Sequence, residues 1–142
     1  MNTTCIIIDD EKLARELLHE FLESFPKIEI VAECEKGKDA VEAIDSLKPD
    51  LIFLDVQMPG MNGFEVLEQI EHDPYVIFTT AYDQYAIKAF EKNAVDYLLK
   101  PLDEERFTLA VNRALTRKKL EHSNIEDLLK GIKGDRKENY DS

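Results

Sequence analysis

Five short apolar runs recur along the chain, and each is followed by a stretch whose apolar residues repeat at helical spacing. The runs are rich in β-branched and aromatic residues and are bounded by Pro, Gly, Asn or Asp, which is typical of buried strands. The pattern therefore predicts five strands, at Thr4–Ile8, Glu29–Glu33, Leu51–Leu54, Tyr75–Thr79 and Ala94–Leu99.

The segments between the strands predict five helices. The first starts near Asp10-Glu11 and ends at Pro26, and the fourth covers Gln84–Lys92 with Asn93 as its cap residue. The fifth begins at about Glu104. The apolar residues of the five helices are Leu13, Leu17, Phe21 and Phe25; Ala40, Val41, Ile44 and Leu47; Phe64, Leu67 and Ile70; Ile87 and Phe90, both pointing inward; and Phe107, Val111, Ala114 and Leu115.

Alternation of strand and helix implies right-handed crossovers and a parallel sheet covered on both faces. We predict an α/β fold of the flavodoxin-like (βα)5 class, a doubly wound parallel sheet with strand order 2-1-3-4-5. Beyond Leu120 the pattern weakens to one short amphipathic helix carrying Ile125, Leu128, Leu129 and Ile132. The polar end from Lys133 to Ser142 is expected to be mobile.

Size and composition fit one domain with a core, at 142 residues, 16.4 kDa and 44% hydrophobic residues. Residues 1–112 contain 10 Lys/Arg and 24 Asp/Glu, a balance of −14 within the overall net charge of −12, so these residues are unsuited to binding nucleic acid directly. A basic cluster, Arg113, Arg117, Lys118 and Lys119, is interpreted as a solvated helix end. Strand-sized apolar runs, no signal-peptide pattern and two cysteines in apolar strands favour a reducing cytoplasm and no membrane contact.

Polar residues stand directly after four of the predicted strands. Asp9-Asp10 follow the first strand, Asp55 the third, Thr80 the fourth and Lys100 the fifth. The carboxyl ends of parallel strands meet at one edge of a sheet, where α/β proteins place their chemistry. We therefore expect these side chains to converge.

Three carboxylates in one partly buried site repel one another, and a hard divalent cation with oxygen ligands such as Mg²⁺ relieves that repulsion. The Lys100 ammonium, the Thr80 hydroxyl and the Ala81 backbone N–H add donors for an anion. Asp55 as nucleophile would then form an acyl phosphate. Each residue alone has a simpler interpretation: acids at a helix N-terminus, a surface lysine, a strand-end hydroxyl, and for Tyr97 an aromatic that covers an edge strand.

The chain resembles the receiver domain of bacterial two-component response regulators over about residues 3–120. The matching residues are Asp9-Asp10, Asp55-Val-Gln-Met-Pro-Gly-Met-Asn-Gly63, Thr80-Ala81, Tyr97 and Lys100-Pro101. The resemblance implies that Asp55 accepts a phosphoryl group from a sensor histidine kinase, and that Lys100, Thr80 and the Ala81 N–H contact it. It implies Mg²⁺ (or Mn²⁺) on Asp10, Asp55 and the Gln57 backbone carbonyl, with Asp9 acting through water. It also implies a cis Lys100-Pro101 peptide and a switch formed by Thr80 and Tyr97.

The segment from Thr80 to Pro101 is similar to the LytR/AlgR (LytTR) subgroup, whose receivers carry a DNA-binding output domain. We accordingly expect a receiver domain at 1–120 and a linker at 121–142 leading to an output domain that this chain does not contain. DNA would be reached only through that domain, and two phosphorylated receivers could pair through the face of the fourth helix, fifth strand and fifth helix. The resemblance also implies that the domain is a phosphoryl acceptor with intrinsic autodephosphorylation and not a turnover enzyme.

Three other functions remain open from the sequence. A stand-alone phosphorelay carrier would lack an output domain. A Mg²⁺-dependent phosphatase with an aspartyl-phosphate intermediate, if haloacid dehalogenase-like, needs a DxD motif after its first strand, where this chain has adjacent Asp9-Asp10. A flavodoxin-type cofactor binder needs a Ser/Thr/Gly-rich loop at the same place.

Overall fold

A computed structural model describes the backbone of residues 2–133 and the side chains of residues 2–130. The strands are β1 Thr3–Ile8, β2 Ile28–Cys34, β3 Leu51–Asp55, β4 Tyr75–Thr80 and β5 Asp96–Leu99. The helices are α1 Lys12–Leu22, α2 Gly37–Leu47, α3 Gly63–Gln69, α4 Ala86–Glu91 and α5 Glu104–Lys133, and a single 3-10 turn, Asp83–Tyr85, precedes α4. All five predicted strands and helices are present, with most boundaries moved by a few residues.

The strands form one parallel sheet in the order β2-β1-β3-β4-β5, which confirms the predicted fold class. Residues of β1 alternate between the two faces of this sheet. Cys5 and Ile7 pack with α1 and α5, whereas Ile6 and Ile8 pack with α2 and α3. Because helices cover both faces, the segments Cys5–Ile8 of β1 and Leu51–Leu54 of β3 are apolar at every position instead of alternating with polar residues.

The inward orientation predicted for Ile87 and Phe90 is wrong, since their exposures are 75% and 70%. On α4 the buried residue is Ala89, and the preceding Tyr85, one helical turn earlier, packs against the same core cluster. Residues 87 and 90 therefore project from the other side of this short helix. The most apolar face of α4 is on the surface.

Two other boundaries differ from the sequence prediction. α1 ends at Leu22, before Pro26, and its Leu13 is exposed while Leu18, Phe21 and Leu22 are buried. α5 runs without a break through the position where a separate short helix was expected, and no proline or glycine interrupts residues 104–130. Arg113 consequently lies within a helix, not at a helix end, and it bonds to Asp96.

Some predictions lie outside the described residues or remain predictions. The expected mobile end falls mostly on residues 134–142, which the structure does not describe. The division of the chain at residue 120 stays a prediction. Within the described residues, no helix is both long enough and apolar enough to cross a bilayer.

Candidate functional site

Asp9, Asp10 and Asp55 lie together at the carboxyl edge of the sheet, as predicted. Ile8 pairs with Leu54 in the parallel register of β1 and β3, so the residues that follow them, Asp9 and Asp55, are neighbours. One oxygen from each of the three carboxylates lies within 4.8 Å of the others. Asp9 is fully buried, Asp55 is 3% exposed and Asp10 faces solvent.

The Lys100 ammonium joins this cluster from β5. Its Nζ atom lies 3.0 Å from Oδ2 of Asp9 and 3.4 Å from Oδ2 of Asp55. The backbone fixes this approach, because the Lys100 N–H donates to the Thr80 carbonyl at 2.8 Å. The Lys100–Pro101 peptide bond is cis, as the resemblance implied.

Burial shapes the charges of the site. Desolvation, reinforced by the neighbouring Asp9 carboxylate, raises the pKa of Asp55 to about 7, although Lys100 and the Gln57 N–H oppose the rise. For Lys100, burial alone would lower the pKa, but bonds to Glu11 and Asp9 outweigh burial and raise the pKa. The ammonium is therefore held as a cation among carboxylates whose mutual repulsion it only partly relieves.

The carboxylate cluster fits a hard divalent cation. Oδ2 of Asp9 is buried and accepts no hydrogen bond among the described residues; the Lys100 ammonium, 3.0 Å away, is its ion-pair partner. One ammonium cannot balance three carboxylates in a partly buried site, and a divalent cation would supply the missing positive charge. Three carboxylates suit an ion that keeps several water ligands, such as Mg²⁺.

Thr80 and Tyr97, the two predicted switch residues, are joined through the loop between β4 and α4. The Tyr82 N–H donates to the Thr80 hydroxyl at 3.2 Å, and the Tyr97 hydroxyl donates to the Tyr82 carbonyl. The same Tyr97 hydroxyl accepts from the Tyr85 N–H at 3.2 Å. Thr80 is buried, Tyr97 is half-buried, and Ala81 is exposed at the start of this loop.

A hydrogen bond between Gln57 and Tyr85 was not predicted from the sequence. The Gln57 side-chain amide donates to the Tyr85 hydroxyl at 2.6 Å, and its backbone N–H donates to Oδ1 of Asp55 at 3.3 Å. Gln57 therefore connects the Asp55 carboxylate with the loop that holds Tyr97. Residues 28 positions apart make this contact, and no local sequence pattern indicates it.

The loop after Asp55 is shaped by Asn62 and Gly63. Asn62 caps α3: its side chain accepts from the Glu65 N–H at 2.9 Å while Glu65 accepts from the Asn62 N–H at 2.8 Å. The backbone at Gly63 packs directly against Asp55, and a Cβ atom there would lie 2.4 Å from the Asp55 carbonyl oxygen. Only glycine allows this approach.

Replacing Gly63 with alanine is expected to lower the free energy of unfolding by about 1–3 kcal/mol, the usual cost of overpacking against backbone. Urea denaturation measures this loss. Gly60→Ala is the control: Gly60 has φ of +85° but open space around it, so it tests backbone strain without the clash. A Gly63→Ala protein as stable as the wild type would contradict the tight contact.

The family model for the response regulator receiver domain matches residues 5–112. The chain belongs to the response regulator receiver domain family. The receiver is 48% identical over 129 residues to an uncharacterized response regulatory protein of Yersinia pestis, covering 89% of this chain and 54% of that protein. It is 50% identical over 110 residues to the transcriptional regulatory protein BtsR of Escherichia coli K12, covering 76% of this chain and 46% of BtsR. The receiver thus spans about half the length of these relatives.

Solved structures agree with the receiver fold. The response regulatory domain of protein mrkE from Klebsiella pneumoniae superposes with a TM-score of 0.74 at 33% identity, covering 81% of this chain and 97% of that domain. The REC domain of AraT, a response regulator from Geobacillus stearothermophilus, gives a TM-score of 0.72 at 32% identity, covering 87% and 99%. Receiver domains in general bind Mg²⁺ at an acidic pocket and work with a sensor kinase, and this receiver has a cluster of three aspartates at the carboxyl edge of its sheet.

Proposed function

We propose that Asp55 is the phosphoryl acceptor of this receiver domain, and that a sensor histidine kinase is the donor. The observation that carries the proposal is the joint placement of a buried Asp55 carboxylate, two further aspartates and the Lys100 ammonium at one edge of the sheet. Phosphoryl transfer needs a positioned nucleophile and positive charge around the equatorial oxygens. Lys100 supplies part of that charge.

Asp9, Asp10 and Asp55 would hold Mg²⁺ or Mn²⁺, with Asp9 acting through water and the Gln57 backbone carbonyl as a further ligand. When bound, the ion offsets negative charge on the phosphoryl oxygens. Lys100 Nζ, the Thr80 hydroxyl and the Ala81 N–H would contact those oxygens.

In the transfer, an Asp55 carboxylate oxygen attacks phosphorus, an O–P bond forms and the N–P bond of the donor phosphohistidine breaks. The imidazole leaves and recovers a proton from solvent. Later attack by water on the acyl phosphate releases inorganic phosphate and restores the Asp55 carboxylate. The receiver would act as an acceptor with autodephosphorylation and not as a turnover phosphatase.

Acetyl phosphate, which releases acetate in place of imidazole, tests this proposal directly. Incubation with Mg²⁺ is expected to add the mass of one phosphoryl group to the intact protein, and hydroxylamine should remove it, as it does from acyl phosphates. Peptide mapping should place the group on Asp55, and EDTA should prevent labelling. Labelling that persists in EDTA, or that resists hydroxylamine, would overturn the proposed chemistry.

Phosphorylation would be transmitted through Thr80 and Tyr97. We expect the Thr80 hydroxyl to leave the Tyr82 N–H for a phosphoryl oxygen, which alters the loop to which the Tyr97 hydroxyl is bonded. Such a switch is a shift between two populations. It would remodel the face of α4, β5 and α5, where Ile87, Phe90 and Leu99 are exposed, and a second receiver could then pair with that face.

Thr80→Val is expected to weaken this coupling, because valine keeps the shape of threonine but has no hydroxyl. In 3-fluorotyrosine-labelled protein, the ¹⁹F shift of Tyr97 on addition of beryllofluoride and Mg²⁺ should fall to less than about half of the wild-type shift. Thr79→Val is the matched control, since the buried Thr79 hydroxyl makes no hydrogen bond among the described residues. A full Tyr97 shift in Thr80→Val would exclude the switch role.

The output is proposed to be control of transcription through a LytTR-type DNA-binding domain. The supporting observations are the resemblance of the segment Thr80–Pro101 to that subgroup and the similarity to BtsR, a named transcriptional regulatory protein about twice as long as the matched region. Residues 1–120 would be the receiver and 121–142 a linker, in a cytoplasmic protein. A stand-alone phosphorelay carrier is the alternative, and the reading frame beyond Ser142 decides between them.

A further inference from the structure

Lys100 makes its shortest contact with a residue that the acceptor mechanism does not use. Its Nζ atom lies 2.6 Å from Oε1 of Glu11, compared with 3.0 Å to Asp9 and 3.4 Å to Asp55. The ammonium therefore has a third carboxylate partner, and that partner is the closest of the three.

Glu11 differs from the other two carboxylates in its freedom to move. Asp9 and Asp55 are buried, whereas the Glu11 side chain is 61% exposed. Only its backbone is fixed: the Glu11 N–H donates to Oδ1 of Asp9 at 2.9 Å, which places residue 11 beside the acid cluster at the start of α1. The side chain can turn away into water, and an exposed ion pair is easily broken.

The Lys100 side chain has no comparable freedom, because it is only 15% exposed and its backbone is bonded to Thr80. An anionic phosphoryl group on Asp55 would accept hydrogen bonds from the Lys100 ammonium, the same group that contacts Glu11 in this structure. The Glu11 carboxylate and the phosphoryl oxygens thus compete for the Lys100 ammonium, and their negative charges also repel each other.

We infer that Glu11 is a positioning residue that holds the Lys100 ammonium in the resting state and competes with the phosphoryl oxygens for it. This inference rests on the proposed function. The Glu11 carboxylate therefore has opposite effects on the binding of a cation and on the binding of an anion at this site. The Glu11 charge attracts a divalent cation to the acid cluster, but the Glu11–Lys100 contact opposes binding of a phosphoryl group at Asp55.

Two substitutions distinguish the effect of the Glu11 charge from the effect of its contact with Lys100. Glu11→Gln removes the charge, and Glu11→Asp keeps the charge while its shorter side chain withdraws the carboxylate from Lys100. Glu16→Gln is the control on the same helix, since Glu16 is an exposed acid whose ion pair, at 3.9 Å, is with Lys12. Mn²⁺ affinity is measured from the electron paramagnetic resonance signal of the free ion. Beryllofluoride affinity is measured by ¹⁹F NMR at saturating Mg²⁺.

Glu11→Gln is expected to bind Mn²⁺ about threefold more weakly and beryllofluoride about two- to fivefold more tightly, the range that an exposed ion pair supports. Glu11→Asp should show the same gain for beryllofluoride with nearly unchanged Mn²⁺ affinity, and Glu16→Gln should match the wild type in both. A purely structural role would lower both affinities in the Glu11 variants, and that result would overturn the inference.

The failures of the two proposals are distinguishable. If wild-type protein binds neither Mn²⁺ nor beryllofluoride, the proposed acceptor function fails. If wild-type protein binds both and the Glu11 variants bind beryllofluoride no more tightly, the function stands and the role of Glu11 is wrong.

Discussion

Asp55→Asn is expected to reduce labelling by acetyl phosphate and Mg²⁺ to background, a loss of at least about 100-fold, because the amide has no anionic oxygen to attack phosphorus. Asparagine has nearly the same shape, so the buried site can keep its packing. Intact-mass spectrometry over a time course measures the loss. Asp73→Asn, an exposed aspartate away from the sheet edge, makes the same chemical change and should label like the wild type.

Stability measurements show whether the Asp55→Asn protein is folded. Burial raises the pKa of Asp55 to about 7, above the value near 3.9 of an unfolded chain. The charged carboxylate therefore costs stability increasingly as the pH rises from about 4 to about 7. In EDTA, Asp55→Asn should be more stable than the wild type by about 1–3 kcal/mol at pH 8, and the difference should vanish near pH 4. Undiminished labelling of a folded Asp55→Asn protein would remove Asp55 as the acceptor.

The positions of the acid cluster could be predicted because they depend on chain direction and register alone. In a parallel sheet every strand ends at the same edge, so Asp9, Asp55, Thr80 and Lys100 were expected to converge once the strands and their order were correct. The apolar runs of β1 and β3 made those strands unambiguous.

The face of α4 could not be predicted in the same way. A helix of six residues offers fewer than two turns, and its most apolar residues, Ile87 and Phe90, suggest an inward face that tertiary packing does not use. The 3-10 turn before it places Tyr85 and Ala89 inward instead. Because Ile87 and Phe90 are exposed, this helix contributes an apolar surface to the face at which pairing is proposed.

Side-chain contacts between residues that are distant in the sequence could not be predicted either. Gln57 with Tyr85, and Glu11 with Lys100, join residues from different loops whose spacing in sequence carries no signal. Arg106 and Arg113 resemble ordinary surface cations of a helix, yet both bond to Asp96 on β5. Such contacts follow from how the helices pack on the sheet, which the apolar pattern does not specify in detail.

The Asp96 contacts predict a large loss of stability when that carboxylate is replaced. The Asp96 side chain is 6% exposed and accepts bonds from Arg106 at 2.6 and 2.9 Å and from Arg113 at 2.7 Å. Burial alone would raise the pKa of Asp96, but Arg106, the Tyr97 N–H and Arg113 outweigh it and hold the pKa below its usual range. A carboxylate with a lowered pKa stabilises the folded protein above its unfolded pKa, near 3.9, and this stability is lost as the pH falls through the folded value.

Asp96→Asn is therefore expected to lower the free energy of unfolding at pH 7 by about 2 kcal/mol, less than the 3–5 kcal/mol of a fully buried pair because both arginine side chains are partly exposed to water. The difference from the wild type should shrink as the pH falls below about 4, because Asp96 of the wild type is then protonated and becomes neutral, as the asparagine is at every pH. Urea denaturation at several pH values measures the free energy of unfolding, with the exposed Asp83→Asn as the control.

Arg113→Ala should lower the free energy of unfolding less than Asp96→Asn does, since Arg106 still donates two hydrogen bonds to the Asp96 carboxylate. A loss in Asp96→Asn that stays the same from pH 7 into the acid range would show that the charge of Asp96 is not what makes this contact stabilising.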